Sequence, residues 1–298
     1  MTHADGSRAA AAWFGVVAVW STTPIAIKWT AEGMGPALAV LGRTTIAALV
    51  FAALFLLTRV RFTNDAPTWR AASVAAAAFC SSMLLASSGA PAIPSGLMSV
   101  VFGLSPLVTA LLAAFVFHSE PLTPWRASGA LLGFGGVVLI SGGRGELGPN
   151  ATHGLLLTGA AMAIGALNLV VLKQMAREVS VLSMTAASTW LSLPVLVVAW
   201  WVMEGQLPAR LAPQVWGAVA WLGVAGSVVG FLLFYYALKH MAATRVALIT
   251  LVTPLTALLI GQRFNGEHLP PSAWIGSALV LVGIACATLL DRRWAAGR

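Results

Sequence analysis

Residues 93–117 read IPSGLMSVVFGLSPLVTALLAAFVF, a run of 25 residues without one charged side chain. About 20 consecutive apolar residues are enough for an α-helix to cross the hydrocarbon core of a bilayer. The later part of this run, SPLVTALL at residues 105–112, returns in the second half of the chain as TPLTALL at residues 253–259. The sequence therefore predicts a membrane-crossing helix that occurs twice.

The composition of the whole chain is typical of a membrane protein. Hydrophobic residues make up 59% of the 298 residues and charged residues only 9%, with a mean hydropathy of +0.88. Soluble domains are about half apolar and about one quarter charged. The net charge of +8 is spread singly between apolar runs, which argues against a nucleic-acid-binding stripe. The lipid bilayer is therefore the expected surroundings of the chain.

Ten segments are long and apolar enough to cross the membrane, so we predict an all-α polytopic membrane protein. The predicted limits are Ala9–Trp29, Pro36–Leu57, Trp69–Ser88, Ile93–Phe117, Pro124–Ile140, Gly154–Leu172, Val181–Val202, Val215–Leu238, Thr244–Gln262 and Ser272–Leu290. The loops between these segments are too short to hold a soluble domain, which disfavours a sensor or scaffold with an output domain.

Basic residues predict the orientation of the helices, because the cytoplasmic loops of membrane proteins are enriched in Lys and Arg. With ten crossings both termini lie on one side, and that side carries twelve of the basic residues against four on the other. The twelve are Arg8, Arg59, Arg61, Arg70, Arg126, Lys173, Arg177, Lys239, Arg245, Arg292, Arg293 and Arg298; the four are Lys28, Arg144, Arg210 and Arg263. We therefore predict that both termini are cytoplasmic.

The repeated run extends into a longer internal repeat. Pro106 is followed by Glu120 and Trp125, and Pro254 by Glu267 and Trp274. We predict two five-helix repeats in one integral membrane domain, at residues 1–148 and 149–298. Because five is odd, the second repeat enters the membrane from the opposite side. Inverted repeats of this kind accompany alternating access in secondary transporters, with substrate bound near the bilayer midplane.

Ten helices in a five-plus-five repeat, with a Ser/Thr-Pro helix, a Glu and a glycine-rich helix in each half, resemble the EamA-type members of the drug/metabolite transporter superfamily. More narrowly, the pattern is similar to YddG-type exporters of aromatic and other amino acids. The resemblance implies a central cavity lined by the first, third, fourth, sixth, eighth and ninth helices, with the fifth and tenth peripheral. It also implies export from a bacterial cytoplasm across the inner membrane.

Ionisable side chains are scarce inside the predicted spans. All nine acidic residues and all five histidines fall in termini, loops or span ends, whereas proton-coupled pumps place such groups inside the bundle. We therefore expect a facilitator or exchanger without an acidic proton relay. Neither an enzyme's buried nucleophile and base nor a metal-ligand spacing nor a nucleotide-binding motif is visible, so we expect no enzyme activity, no cofactor, no metal and no nucleotide.

Arg43 is the one cationic residue placed well inside a predicted span, and an ionisable residue within the membrane is by default a functional candidate. It could bind a substrate carboxylate, or it could extend its guanidinium to the interface or to a neighbouring helix end. Both interpretations fit the sequence, because Arg43 is only about two helical turns from Pro36.

The segment Trp20-Ser21-Thr22-Thr23-Pro24 lies inside the first span. Pro24 removes the helical hydrogen bond to the carbonyl of residue 20 and tends to kink the helix. A free carbonyl and the Trp20 ring face could both receive a substrate ammonium, although a packed kink is an alternative. Pro106 and Pro254 are candidate hinges at equivalent positions of the repeats, or merely tolerated kinks.

The other candidates for substrate contact come from the third, fourth, sixth, seventh and eighth helices. An aromatic and methionine lining would suit apolar amino acids, and helix packing is the alternative for each residue. The full predicted set is Trp20, Thr22, Thr23, Arg43, Phe79, Ser82, Met83, Met98, Phe102, Asn168, Trp190, Phe231 and Tyr235. The pairs Gly129–Gly133 and Gly226–Gly230 match a small-residue packing motif, which favours packing within the bundle and allows a homodimer.

The sequence thus predicts a secondary transporter that exports small neutral or zwitterionic metabolites, with amino acids, aromatic ones included, as the favoured substrates. Efflux of drugs or other metabolites is the alternative within the same superfamily.

Overall fold

The computed structural model describes residues 3–58, 60–142, 147–175, 179–241 and 243–290. Within these ranges the chain is helical without strands, and ten helices are long and apolar enough to cross a membrane. The ten predicted spans are therefore confirmed. They are α1 (His3–Met34), α2 (Pro36–Thr58), α3 (Ala66–Gly89), α4 (Ser95–Val116), α5 (Pro124–Gly142), α6 (Ala151–Met175), α7 (Val181–Met203), α8 (Pro213–Trp221, Leu222–Val229 and Gly230–His240), α9 (Ala243–Ala247 and Ile249–Asn265) and α10 (Pro271–Ala285 and Cys286–Leu290).

Three of the ten helices contain π-helical turns. These are Leu112–Val116 in α4, Leu222–Val229 in α8 and Cys286–Leu290 in α10. π turns inside α-helices often mark functional sites, because they redirect side chains from the regular helical register. In α4 the helix is also broken at Leu104, two residues before Pro106, whereas Pro24 and Pro254 lie within continuous helical stretches.

The two halves of the chain make equivalent helix contacts. α1 packs against α8 and α9, and its counterpart α6 packs against α3 and α4. Three further pairs join each helix to its own counterpart in the other repeat: α2 with α7, α4 with α9, and α5 with α10. Together with the odd number of helices in each half, this arrangement agrees with the predicted inverted repeat.

The α5–α10 contact shows this relation at the level of single residues. Gly129 faces the backbone of Gly283, and Gly283 faces the backbone of Gly129. Seven residues further along α5, Gly136 and Gly276 face each other's carbonyl oxygens in the same way. The helices run antiparallel, because higher numbers in α5 meet lower numbers in α10. Gly129 therefore packs within the bundle; whether the chain also forms a homodimer stays a prediction.

The outer surface of the bundle is apolar. Large exposed side chains such as Leu56, Leu57, Leu131, Val138 and Trp201 lie around it. A soluble monomer rarely exposes so continuous an apolar surface, whereas lipid tails cover it without cost. This surface agrees with a multi-pass membrane protein.

Candidate substrate cavity

A cavity of about 1240 Å³ lies among the helices of the described bundle. Its wall includes residues from all six helices that the family resemblance implies, namely α1, α3, α4, α6, α8 and α9. Arg43 of α2, Arg126 of α5, Val181 and Met184 of α7, and Ala287 and Thr288 of α10 also line it. The expectation that α5 and α10 are wholly peripheral is therefore too simple, because Arg126 and the π turn at Cys286–Leu290 border the cavity.

The cavity opens at one face of the bundle. Its wall reaches Ser119, Glu120, Lys173 and Val181, which lie where α4 and α6 end and α7 begins. We call this end of the bundle the open face. At the opposite end, the closed face, lie Lys28, Glu204 and Glu267, and none of these three lines the cavity.

Arg43 extends its guanidinium into the bundle and forms part of the cavity wall. It is only 6% exposed, so the alternative in which it reaches the membrane interface does not describe this structure. Its Nη2 donates a hydrogen bond of 3.1 Å to Ser227 Oγ, and its Nη1 lies 3.8 Å from the sulfur of Met83. Its Nε is buried without a partner among the described residues.

The surroundings of Arg43 leave its charge uncompensated within the described chain. Both hydrogen-bond partners are neutral, and no described carboxylate forms an ion pair with it. Ser227 itself donates to the carbonyl of Leu222 at 2.8 Å, so the π turn of α8 orients the hydroxyl to accept from Arg43. A buried, unpaired cation is costly unless something neutralises it. The site is therefore suited to an anionic group of a solute.

Large apolar side chains line much of the rest of the cavity. Trp20 packs its ring edge-on against Phe231 and tilted against Phe234, with centroid distances of 6.2 and 5.2 Å. The remaining apolar wall residues among those predicted from the sequence are Phe79, Met83, Met98 and Phe102. Such a wall favours an apolar solute with few polar groups.

Seven hydroxyl-bearing wall residues are absent from the predicted set: Ser99, Ser105, Thr109, Ser119, Thr250, Thr253 and Thr288. The hydroxyls of Thr109 and Thr253 are buried and have no hydrogen-bond partner within the described chain. A sequence signal for two of them existed, since Ser105 and Thr253 directly precede the repeated prolines. Together with the Nε of Arg43, the hydroxyls of Thr109 and Thr253 are three buried polar atoms beside the cavity that have no partner among the described residues.

The three prolines that were candidate kinks or hinges, Pro24, Pro106 and Pro254, line the cavity, as does Thr23 directly before Pro24. Thr23 donates its hydroxyl to the carbonyl of Val19 at 2.8 Å, so this hydroxyl is bonded back to its own helix. The hinge role of the three prolines stays a prediction, because one conformation does not show a motion.

Four of the predicted residues, Thr22, Ser82, Asn168 and Trp190, do not lie on the described cavity wall. Thr22 accepts a hydrogen bond of 3.1 Å from Trp221 Nε1, and Ser82 donates one of 2.8 Å to the carbonyl of Ala161. Trp190 packs on Phe55 and Phe62 and donates to the carbonyl of Ala48. The Oδ1 of Asn168 is buried without a partner among the described residues, and the side chain of Tyr235 lies outside the described part. Their role in substrate binding remains a prediction.

A small ion-pair cluster borders the mouth of the cavity. Glu120 lies 2.6 Å from Lys173 Nζ and 3.0 Å from Arg126 Nη1. The hydrogen bond from Lys173, followed by that from Arg126, holds the pKa of the Glu120 carboxyl below its usual range. Glu120 is the one acidic side chain on the described cavity wall, so its charge is already matched before a solute arrives.

Comparisons with known proteins identify the family of the chain. The model of the EamA-like transporter family matches twice, at residues 8–142 and 152–289. A probable terminal-alkyne amino-acid exporter of Streptantibioticus cattleyicolor is 30% identical over 286 residues, covering 93% of this chain and 91% of its own. An uncharacterized transporter of Archaeoglobus fulgidus is 26% identical over 272 residues, covering 90% and 94%. A protein of known crystal structure, 24% identical, has the same fold with a TM-score of 0.66 over 97% of this chain and 99% of its own. The chain therefore belongs to the EamA-like transporter family, and it is a multi-pass membrane transporter of the drug/metabolite type rather than an enzyme.

Proposed function

We propose that the protein exports amino acids, apolar and aromatic ones included, as a facilitator or exchanger that works by alternating access. The observation that carries the proposal is the buried guanidinium of Arg43 on the cavity wall, whose partners among the described residues are the neutral Met83 and Ser227. Every free amino acid carries a carboxylate, which binds guanidinium through short, charge-assisted hydrogen bonds. Trp20, Phe79 and Met98 would then contact an apolar side chain.

The distribution of basic residues supports export from a bacterial cytoplasm across the inner membrane. Among the described basic residues, Arg61, Arg70, Arg126, Lys173 and Arg245 lie near helix ends at the open face. By the positive-inside rule they favour a cytoplasmic open face. The cavity then faces the compartment from which an exporter collects its substrate. The similarity to an amino-acid exporter at 30% identity supports the same direction and the same class of substrate.

Counterflow in proteoliposomes tests the proposed substrate class. Vesicles that contain the purified protein are loaded with an excess of one unlabelled amino acid and diluted into a trace of the same labelled compound. We expect label to accumulate transiently above its outside concentration for Trp, Phe, Met or Leu, and not in vesicles without protein. Failure with every amino acid, while the protein remains folded, would exclude amino acids as substrates.

Replacing Trp20 with alanine should lower counterflow of aromatic amino acids more than that of small ones. The ring stands between Phe231 and Phe234 at the cavity wall, and aromatic pairs contribute about 0.5–1.5 kcal/mol beyond their buried area. We expect an increase of about three- to tenfold in the half-saturating concentration of Trp, from the conversion of about 1.4 kcal/mol per tenfold change. Equal losses for Trp and Thr would contradict a side-chain contact at this position.

A pH gradient should leave counterflow unchanged between about pH 6 and about pH 8, the range in which perturbed carboxylates and histidines of proton relays titrate. The described cavity wall holds one carboxylate, Glu120, whose pKa is depressed by Lys173 and Arg126. A depressed pKa keeps this carboxyl ionised throughout that window, and it is protonated only as the pH falls further, through that depressed pKa. Accumulation of substrate driven by an imposed pH gradient would show proton coupling and contradict this prediction.

The second candidate function is efflux of larger apolar compounds. A cavity of about 1240 Å³ exceeds the space that one amino acid fills, and pockets for drug-sized ligands measure about 300–1,000 Å³. A dye or drug that competes with amino acids for counterflow, or that replaces them altogether, would favour this alternative.

A further inference from the structure

The closed face is held by two side chains that bind the beginning of α4. Lys28 of α1 donates a hydrogen bond of 2.8 Å to the carbonyl of Ile93, just before that helix. Glu267, which follows α9, accepts bonds of 2.9 Å from the backbone N–H of Ser95 and 3.4 Å from that of Gly96. The amide groups that begin a helix have no partner within it, so a carboxylate there is favourable. Together the two side chains join α1 and the end of α9 to α4.

A second layer of hydrogen bonds supports this contact. Asn265 donates to Glu267 at 2.9 Å and accepts from Trp29 Nε1 at 2.8 Å. The carboxylate of Glu267 is therefore oriented from both sides. At this end of the cavity Ile93 and Leu97 are almost fully buried.

Both side chains have equivalents in the other repeat. Lys28 lies eight residues before α2 begins at Pro36, and Lys173 lies eight residues before α7 begins at Val181. Glu267 follows the repeated proline of α9 as Glu120 follows that of α4. The inverted arrangement places Lys173 and Glu120 at the open face, opposite Lys28 and Glu267.

The backbone that Glu267 binds also has an equivalent. α4 begins at Ser95, 11 residues before Pro106, and α9 begins at Ala243, 11 residues before Pro254. The carbonyl of Met241 then corresponds to that of Ile93. The open face thus contains the same parts as the closed face: a lysine, a glutamate and the first backbone groups of a membrane helix.

The two faces differ in how these parts are bonded. At the closed face Lys28 and Glu267 both hold the beginning of α4, whereas at the open face Lys173 and Glu120 bind each other at 2.6 Å. Glu120 and Thr250 of α9 both border the open cavity, and no hydrogen bond within the described chain joins this glutamate to α9. The contacts to the beginning of a helix are therefore formed at the closed face, and their equivalents are not formed at the open face.

We propose that these four side chains are two equivalent latches that close in alternation during transport. When the open face closes, Glu120 leaves Lys173 and accepts hydrogen bonds from the backbone N–H groups at 243 and 244, while Lys173 donates to the carbonyl of Met241. At the other end Lys28 and Glu267 release α4 and bind each other. The inference rests on the chain being a transporter of this fold, and it is independent of the proposed substrate.

Thiol labelling of the purified protein measures which face is open without any substrate. In a background with Cys80 and Cys286 replaced by alanine, Ala31→Cys reports on the closed face, since Ala31 is 5% exposed. Ala110→Cys reports on the open cavity, which Ala110 lines. Glu267→Gln should raise the labelling rate at the first reporter about threefold or more and lower it at the second. Glu120→Gln should change the two rates in the opposite directions.

Glu204→Gln is a matched control, because Glu204 also binds the beginning of a helix at the closed face. It accepts from the N–H groups of Ala37 and Leu38 at 2.8 and 2.9 Å. At the open face the segment that follows α2 is also bonded to α7, where the N–H of Thr63 donates to Ser183 Oγ at 3.0 Å. Because these bonds at the two faces are present in one conformation, we expect Glu204→Gln to leave the ratio of the two labelling rates unchanged.

Opposite shifts for Glu267→Gln and Glu120→Gln, with an unchanged ratio for Glu204→Gln, would support the two latches. The proposal fails if both test variants raise both rates, if neither changes the ratio, or if the control shifts it as strongly as Glu267→Gln. Lys28→Met provides a second test of the closed face should Glu267→Gln not fold, and it should shift the ratio in the same direction. Because no substrate is present, these outcomes stand apart from the success or failure of counterflow with amino acids.

Discussion

Replacing Arg43 with methionine should reduce amino-acid counterflow about 10- to 100-fold while leaving the protein at least as stable as before. Hydrogen bonds to charged groups contribute about 1.5–3 kcal/mol, which corresponds to that range of affinity. Among the described residues the guanidinium has Ser227 and Met83 as its partners. Replacing a buried charge with an apolar side chain of similar volume is often neutral or stabilising. Function and stability should therefore respond in different directions.

Two further variants separate charge from geometry at this position. Arg43→Lys keeps the positive charge but loses the planar pair of donors that matches a carboxylate, so we expect an intermediate rate. Ser227→Ala removes the hydroxyl that accepts from Nη2 at 3.1 Å, and its effect should be smaller than that of either Arg43 variant. Thermal unfolding in detergent shows whether each protein is folded.

A substrate analogue provides the complementary test of the Arg43 contact. Tryptophan amide has the same side chain and ammonium group as tryptophan but lacks the carboxylate. It should compete poorly for counterflow by the wild-type protein, and Arg43→Met should weaken it little further, because interacting groups are not additive. Wild-type rates in Arg43→Met, or equal competition by the acid and the amide, would remove Arg43 from the binding site.

Much of the fold follows from the sequence because the length of the apolar runs and the internal repeat determine it. Ten apolar runs of sufficient length require ten crossings, and the repeated Pro, Glu and Trp pattern indicates the five-helix unit. Helix beginnings such as Pro36, Pro124 and Val181 lie where a polar loop ends, so the predicted and observed starts coincide. The inverted relation of the halves then follows from the odd number of helices in each repeat.

The direction in which each side chain points does not follow from the sequence. Only part of the predicted set of binding residues therefore lies on the cavity wall. The helices are apolar on all sides, so no polar face indicates which side meets the cavity. Trp190 and Ser82 were predicted as candidates on residue type alone, and they pack against α2 and α6 instead. The position of Ser227 beside Arg43 depends on the π turn Leu222–Val229. The amino-acid pattern of this stretch does not indicate a π turn.

Gly136→Ala should lower thermal stability, whereas the neighbouring Gly135→Ala should leave it unchanged or raise it. A methyl group at Gly136 would collide with the backbone carbonyl of Gly276 and lie 2.9 Å from Val280 Cγ2. A backbone atom of a packed helix cannot move aside cheaply, and overpacking typically costs about 1–3 kcal/mol. At Gly135 the added methyl group meets no atom within 4 Å, and alanine is favoured over glycine in a helix by about 0.5–1 kcal/mol.

The symmetry of the α5–α10 contact provides a second variant that tests the same prediction. Gly276→Ala would place its methyl group against the carbonyl of Gly136, in the same manner as the first variant. The two substitutions should therefore lower the melting temperature in detergent by similar amounts, measured by loss of the monodisperse gel-filtration peak after heating. Equal behaviour of Gly135→Ala and Gly136→Ala would show that helix propensity alone decides, and that α5 and α10 are not in close backbone contact. A clear difference between them would place the close contact between the repeats at these glycines, because only one of the two adjacent positions faces the partner helix.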